Sequence, residues 1–144
     1  MSPFRYLPDI AIADVAFEVS GRTLEEMFSS AVDAVLNVMV EKVDAIAPQT
    51  IVDITIDEAK LDRLLFSFLN EIIFFKDARD LLLRARSIRI SNTGMGFHLE
   101  AKTAGDKLDP EKHRPGIDVK AVTLHLFEVR ETSEGWTARV VVDV

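Results

Sequence analysis

The stretch GDKLDPEKHRPGIDVKAVTLH, residues 105–125, concentrates side chains that could do chemistry. It holds two of the three histidines, His113 and His125, together with an Asp-Pro-Glu-Lys-His run and a Pro-Gly turn before an apolar strand. Functional residues are common on loops, which favours a functional role for His113. His125 shares strand parity with Ala121 and Phe127, so we expect it to be a hydrogen-bonded core histidine.

Two aspartates outside that stretch could bind a metal ion. Asp14 interrupts a predicted strand that is otherwise apolar over residues 10–19, and a carboxylate facing a packed layer is costly unless it is paired or bound to a cation. Asp143 lies on the last predicted strand, so if the first and last strands are neighbours, both carboxylates and the terminal carboxylate of Val144 could meet. Oxygen ligands suit Ca²⁺ or Mg²⁺, and also Mn²⁺. On composition alone, two solvated edge aspartates are the alternative. Lys120 could neutralise an acidic cluster, contact a partner, or be an ordinary exposed lysine.

Length, charge and cysteine content narrow the class of protein. The chain has 144 residues, which fits one domain over 1–144. Its 17 Lys and Arg against 24 Asp and Glu give a net charge of −7, which disfavours direct binding of nucleic acid. Cysteine is absent, which excludes disulfides, thiolate zinc sites and thiol nucleophiles. No apolar run approaches the roughly 18 residues of a membrane helix, so we expect a soluble, cytoplasmic protein.

The sequence motifs do not support a serine hydrolase, a phosphate-binding enzyme or a metal-dependent hydrolase. No serine lies in a glycine-flanked elbow, and NTGMGF has no lysine and lies between strands, so it is a turn and not a phosphate-binding loop. A metal-dependent hydrolase built on Asp14 and Asp143 would need a positioned base or nucleophile that the sequence does not offer. A purely structural oligomeric domain would leave the predicted burial of Asp14 unexplained.

Hydrophobic periodicity predicts the elements that must position these residues. The predicted elements are, in chain order, a strand at 9–19, a helix at 23–39, a strand at 50–56, a helix at 58–76, and strands at 81–90, 96–103, 118–131 and 136–144. Thr23 and Glu26 form a capping-box pattern, and Asp57 is the expected N-cap of the second helix. This order predicts a single-domain α+β fold with two helices packed on a mostly antiparallel or mixed sheet.

Several separated motifs, in this order, resemble the archease family. They are ADVAFEVSGRTLEEMF near the start, LLFSFLNEIIF in the second helix, GDKLDPEKHRPGIDVKAVTLH, and ARVVVDV at the end. The resemblance covers nearly the whole chain. One departure lies beside Asp14, where the family commonly shows His-Thr-Ala-Asp and this chain has AIAD, so it lacks that histidine.

The resemblance implies a function for the chain. Archeases are accessory proteins of RNA-splicing ligases, which join a 2′,3′-cyclic or 3′-phosphate end to a 5′-hydroxyl, and they promote guanylylation of a ligase histidine and repeated turnover. The resemblance therefore implies a protein cofactor that is not itself an enzyme and takes part in tRNA splicing. A chaperone-like modulator of a tRNA methyltransferase is the alternative role.

The resemblance also implies a site. A divalent ion would be bound by residues that match Asp14, Asp143 and Val144. Candidate partner-contact or supporting residues beside it are the following four: Asp106, Asp109, His113 and Lys120.

Overall fold

The computed structural model describes residues 3–8 and 14–144. Its elements are, in chain order, β1 (Phe4–Tyr6), β2 (Val15–Gly21), α1 (Leu24–Met39), a 3-10 turn (Val43–Ala45), β3 (Thr50–Glu58), α2 (Leu61–Arg79), β4 (Leu81–Asn92), β5 (Phe97–Lys107), α3 (Pro110–His113), β6 (Ala121–Thr132) and β7 (Gly135–Asp143). The predicted α+β class is confirmed. Of the predicted first strand, residues 9–13 lie outside the described ranges, and β2 begins at Val15.

The strands form two sheets where the sequence predicted one. Their orders are β1-β2-β7-β6 and β3-β5-β4, and every neighbouring pair is antiparallel. Helix α1 contacts β2 in the first sheet and β4 in the second, whereas α2 contacts β6 in the first and all three strands of the second. The two long helices therefore join both sheets in one hydrophobic core.

Helix α1 begins as its sequence predicts. The hydroxyl of Thr23 accepts a hydrogen bond from the Glu26 amide at 3.1 Å, which satisfies one of the orphan N–H groups of the first turn. The Glu26 carboxylate reaches back to the amide of Arg22 at 2.9 Å, one residue before the position of a standard capping box. Both hydrogen bonds of the capping box therefore form, but the one accepted by Glu26 comes from Arg22 instead of Thr23.

The predicted N-cap of the second helix is wrong. Helix α2 begins at Leu61 after Lys60, whose side chain makes no capping hydrogen bond. Asp57 lies within β3, and its carboxylate is 2.7 Å from Nδ1 of His98 on the neighbouring strand β5. The alternating pattern of β3 continues through Asp57. Asp57 therefore pairs with β5 and does not cap α2.

Each long helix also covers the edge of a sheet. Strand β6 ends the first sheet, and the Val122 amide donates to Oδ1 of Asn70 on α2 at 3.0 Å. Strand β4 ends the second sheet, and the Ile90 amide donates to the Glu25 carboxylate of α1 at 3.3 Å. Unpaired edge amides are templates for aggregation, so these two contacts close part of each edge.

Candidate functional site

The register between β2 and β7 decides where the two candidate metal-binding aspartates lie. Val15 pairs with Val142, and Ala16 pairs with Val141. Continued by one residue, this register places Asp14 opposite Asp143. Side chains directly opposite each other in an antiparallel pair have Cβ atoms about 4.5–5.5 Å apart. Strands β2 and β7 are therefore neighbours, and their register, continued beyond β2, brings the two aspartates together.

Asp14 itself lies in a bend before β2 and not inside a strand, contrary to the sequence prediction. Its side chain is half-buried. The prediction treated residues 9–19 as one strand because the pattern is apolar over nearly all of it, but periodicity does not mark where a strand begins. Because Asp14 lies in a bend, the alternation of side chains along a strand does not determine which way its carboxylate faces.

Lys120, the residue before β6, lies at the same strand ends. Ala121 pairs with Asp143, and the Lys120 amide donates to the Asp143 carbonyl at 2.8 Å. The Lys120 side chain is exposed, and Val144 follows β7 in a half-buried position. We call Asp14, Lys120, Asp143 and Val144 the strand-end site.

The chemistry of the strand-end site fits a hard cation. Two like charges directly opposite each other destabilise a sheet, and among the described residues neither Asp14 nor Asp143 forms an ion pair with a basic side chain. Oxygen donors of this kind bind Ca²⁺, Mg²⁺ or Mn²⁺. The described part of the chain contains no group of three His, Cys, Asp or Glu side chains arranged for a metal, so oxygens of Val144 would have to complete the set.

Three further candidate residues, Asp106, Asp109 and His113, form a cluster with Lys112, which we call the His113 cluster. Asp109 caps the short helix α3 by accepting a hydrogen bond from the Glu111 amide at 3.0 Å. His113 is fully buried, and its Nδ1 accepts from the Asp109 amide at 2.9 Å. The ring is therefore part of the interior, in contrast to the accessible loop histidine that the sequence suggested.

Asp106 faces His113 from the end of β5. His113 Nε2 lies 3.0 Å from Oδ1 of Asp106, although the two atoms are not aligned for a hydrogen bond. The other carboxylate oxygen accepts from the Ala47 amide at 3.1 Å and from Lys112 at 2.5 Å. Because these contacts join β5, the loop before β3 and α3, the His113 cluster anchors the segment that leads to Lys120.

The charge of Asp106 makes the stability of this anchor depend on pH. Burial raises the pKa of Asp106, but the hydrogen bonds from Lys112 and Ala47 and the neighbouring His113 together outweigh it and lower the pKa below its usual value. The stabilisation is present above the unfolded pKa of about 3.9 and is lost as the pH falls through the folded pKa.

We therefore expect Asp106→Asn to destabilise the protein at pH 7 and to lose this disadvantage progressively below about pH 4. The unfolded wild-type chain binds more protons than the folded one in that range, so its stability falls more steeply with acid than that of the variant. Urea denaturation of both proteins between neutral and acidic pH measures the difference. Parallel stability curves for the two proteins would contradict the assignment.

His125 is not the core histidine that strand parity predicted. The register of β6 and β7 shifts between Thr123 and Glu128, so that β6 contains extra residues opposite β7. His125 is exposed within this bulge, and Leu126 next to it has a φ of 55°, which is unusual for a branched residue. A bulge breaks the period of two on which parity depends, and the buried histidine of the segment is His113 instead.

Lys76 is a residue near the strand-end site that the sequence analysis missed. Only 7% of its surface is exposed, and its ammonium group contacts the segment just before Lys120. The sequence held a signal for this burial, since Lys76 follows Ile72 by four residues and falls on the apolar stripe of α2. A lysine buried on the apolar face of a helix is rarely found without an acceptor or a carboxylate that pairs with its charge.

Comparisons with known proteins agree with this fold. The model of the Archease protein family matches residues 4–144. The chain belongs to the archease family. It is 34% identical to the protein archease of Pyrococcus abyssi over 133 residues, which cover 92% of this chain and 93% of that one. It is 35% identical to the protein archease of Thermococcus kodakarensis with the same coverage.

Two solved structures resemble this archease-family chain. The solution structure of Methanobacterium thermoautotrophicum protein 1598 covers 100% of both chains with a TM-score of 0.85 at 27% identity. The crystal structure of an archease described as a "possible chaperone", from Thermotoga maritima, covers 93% of both chains with a TM-score of 0.62 at 22% identity. The second likeness concerns the fold alone. Among the described helices of this archease-family chain, none has the length and apolar character needed to span a membrane.

Proposed function

We propose that this protein activates an RNA-splicing ligase in the cytoplasm, acting as a protein cofactor in tRNA splicing without itself making or breaking bonds. The observation that carries the proposal is the register of β2 and β7, which brings Asp14 and Asp143 to one strand end beside Lys120. Membership of the archease family supports the choice of partner. The ligase would gain faster guanylylation of its histidine and repeated turnover.

The strand-end site would hold a divalent cation through Asp14, Asp143 and Val144. When bound, Ca²⁺, Mg²⁺ or Mn²⁺ would supply a concentrated positive charge that offsets the repulsion of the carboxylates and can attract oxygen atoms of a partner. The pairing of β2 with β7 supports this choice, because its register, continued by one residue, sets Asp14 opposite Asp143. Lys120 is joined to Asp143 through a backbone hydrogen bond, and its exposed side chain would be available to a partner.

Docking on the ligase would be transient. A chain with a net charge of −7 is attracted to the basic surface that a ligase needs for RNA and nucleotide, and such attraction mainly accelerates association. An activator can shift the ligase only as far as it binds one conformation better than another. We therefore propose that the chain stabilises the nucleotide-competent conformation of the ligase. It would do so through a modest interface, from which it dissociates rapidly.

A second candidate function is a chaperone for a tRNA methyltransferase. The observation behind it is that the structurally similar protein of Thermotoga maritima is described as a "possible chaperone". This function predicts that the chain suppresses aggregation of the methyltransferase during heating and leaves RNA ligation unchanged. Light scattering by the heated enzyme, with and without the chain, measures the effect.

The experiment that tests the proposed function is ligation of a broken tRNA by the cognate ligase, with the ligase far below the substrate concentration. We expect the chain to raise both the number of turnovers and the guanylylated fraction of the ligase. Heat-unfolded chain at the same concentration is the control for nonspecific effects. If neither quantity changes, ligase activation is overturned and the chaperone function becomes the one to test.

A further inference from the structure

We infer that Lys76 is a positioning residue, which holds residues 118–120 in place and thereby sets the geometry of the strand-end site. The inference rests on the proposed function, because it assigns Lys76 to the same metal and partner site. Among the described residues, the Lys76 side chain forms hydrogen bonds and ion pairs with Asp77, Asp118 and Val119 and not with the strand-end site. Its effect passes through the short segment that joins α3 to β6.

The Lys76 ammonium group has three partners in this region. It lies in the last turn of α2 with its side chain 9% exposed, in hydrogen-bond contact with the carboxylate of Asp118. It also donates to the Val119 carbonyl at 3.1 Å and lies 2.5 Å from the carboxylate of Asp77. Two of the three partners belong to the segment that precedes β6, so the lysine connects the helix to that segment.

The clamped segment leads directly to Asp143. Val119 is fully buried, which leaves little room for it to move. The next residue, Lys120, donates its amide to the Asp143 carbonyl at 2.8 Å, and Ala121 pairs with Asp143 in the sheet. The Val119 carbonyl that Lys76 holds and the Lys120 amide that bonds to Asp143 therefore belong to the same peptide group. A shift of Val119 would be transmitted to this backbone contact.

Helix stability alone does not explain a lysine at this position. A lysine in the last turn usually stabilises a helix through its own final carbonyl groups, but Lys76 reaches across to residues 118 and 119. Arg79 also lies in that last turn and is exposed, so the helix has another favourable charge there. An apolar residue of similar volume would often stabilise a buried position as well as an ion pair does.

The charge state of Lys76 is consistent with a clamp. Burial lowers its pKa, but the hydrogen bonds and charges of Asp118 and Asp77 together outweigh that effect and raise the pKa above its usual value. The side chain is therefore an ammonium ion at neutral pH, with all three donors available for its three partners.

Lys76→Met is the test, because methionine keeps the apolar stem and removes the charge. Calorimetric titration with Ca²⁺ and, separately, Mn²⁺ measures metal affinity, and hydrogen exchange measures protection of the Lys120 amide. We expect at least tenfold weaker binding, since loss of a residue that orients metal ligands typically costs about 10–100-fold. The Lys120 amide should exchange faster, the thermal midpoint should change little, and stimulation of the ligase should fall.

Matched variants separate positioning from a general effect on the helix. Arg79→Met removes a charge from the same last turn and should leave metal affinity and Lys120 exchange unchanged. Lys76→Arg retains a cation that can reach the same acceptors and should restore part of the affinity. If Lys76→Met does not fold, Asp118→Asn weakens the clamp by removing the negative charge of one partner of Lys76, and it should be tolerated because the Asp118 side chain is 72% exposed.

The outcomes distinguish this inference from the proposed function. Wild-type metal affinity in Lys76→Met, or in Asp118→Asn should the first variant not fold, would overturn the positioning role. Failure of the wild-type chain to bind either ion would overturn the proposed metal site itself. Protection of the Lys120 amide would then decide alone whether Lys76 positions the segment, since that measurement needs neither metal nor ligase.

Discussion

Replacing Asp14 or Asp143 with alanine is expected to abolish stimulation of the ligase and to weaken binding of Ca²⁺ or Mn²⁺ by more than about 100-fold. Loss of a residue that merely orients a ligand costs about 10–100-fold, so loss of a ligand itself should cost more. The fold should persist, because both residues lie at strand ends and removal of one carboxylate relieves the repulsion between them.

Thermal unfolding with and without metal gives an independent measure of this prediction. A cation at 100 times its dissociation constant should stabilise the wild-type chain by about 2.7 kcal/mol, and this gain should be missing in both variants. Asp53→Ala is the matched control, since Asp53 is an exposed aspartate of β3 in the other sheet. A variant at Asp14 or Asp143 that activates the ligase normally but no longer binds metal would exclude a role for the cation in activation.

Phe68→Ala is expected to give the largest loss of stability among single substitutions in the helices. Phe68 is fully buried on α2 and stacks on Phe28 of α1, with ring centroids 6.3 Å apart and an interplanar angle of 21°. Truncating a buried phenylalanine costs about 3–5 kcal/mol, because the cavity left behind is only partly refilled. That loss is a large part of the roughly 5–15 kcal/mol by which a domain is stable.

Phe74→Ala on the same helix is the matched control for this prediction. Phe74 is 54% exposed, so its removal should change the free energy of unfolding by only about 0.5 kcal/mol, as for most surface substitutions. Urea denaturation of the wild-type chain and both variants measures the two differences. Equal losses for Phe68→Ala and Phe74→Ala would contradict the packing of the two helices around the Phe28–Phe68 pair.

The sequence alone determined the features that depend on nearby residues. The apolar stripe and the Thr23 cap predicted α1, and the alternation of apolar residues predicted the strands from β3 onward. Both patterns are visible within a short stretch of sequence. The same reasoning identified Asp14 and Asp143 as carboxylates without evident local partners. At Asp57 the capping pattern and the strand pattern conflicted, and the pairing of β3 with β5 decided the outcome.

Only the tertiary structure decided which residues are buried and which meet. It buried His113 and Lys76, exposed His125 in a bulge, and divided the strands into two sheets joined by the helices. Each of these outcomes depends on partners far away in the chain, such as Asp118 for Lys76 or β7 for the register of β6. The free energies of such contacts depend on residues that are distant in the chain. A short stretch of sequence therefore cannot predict them.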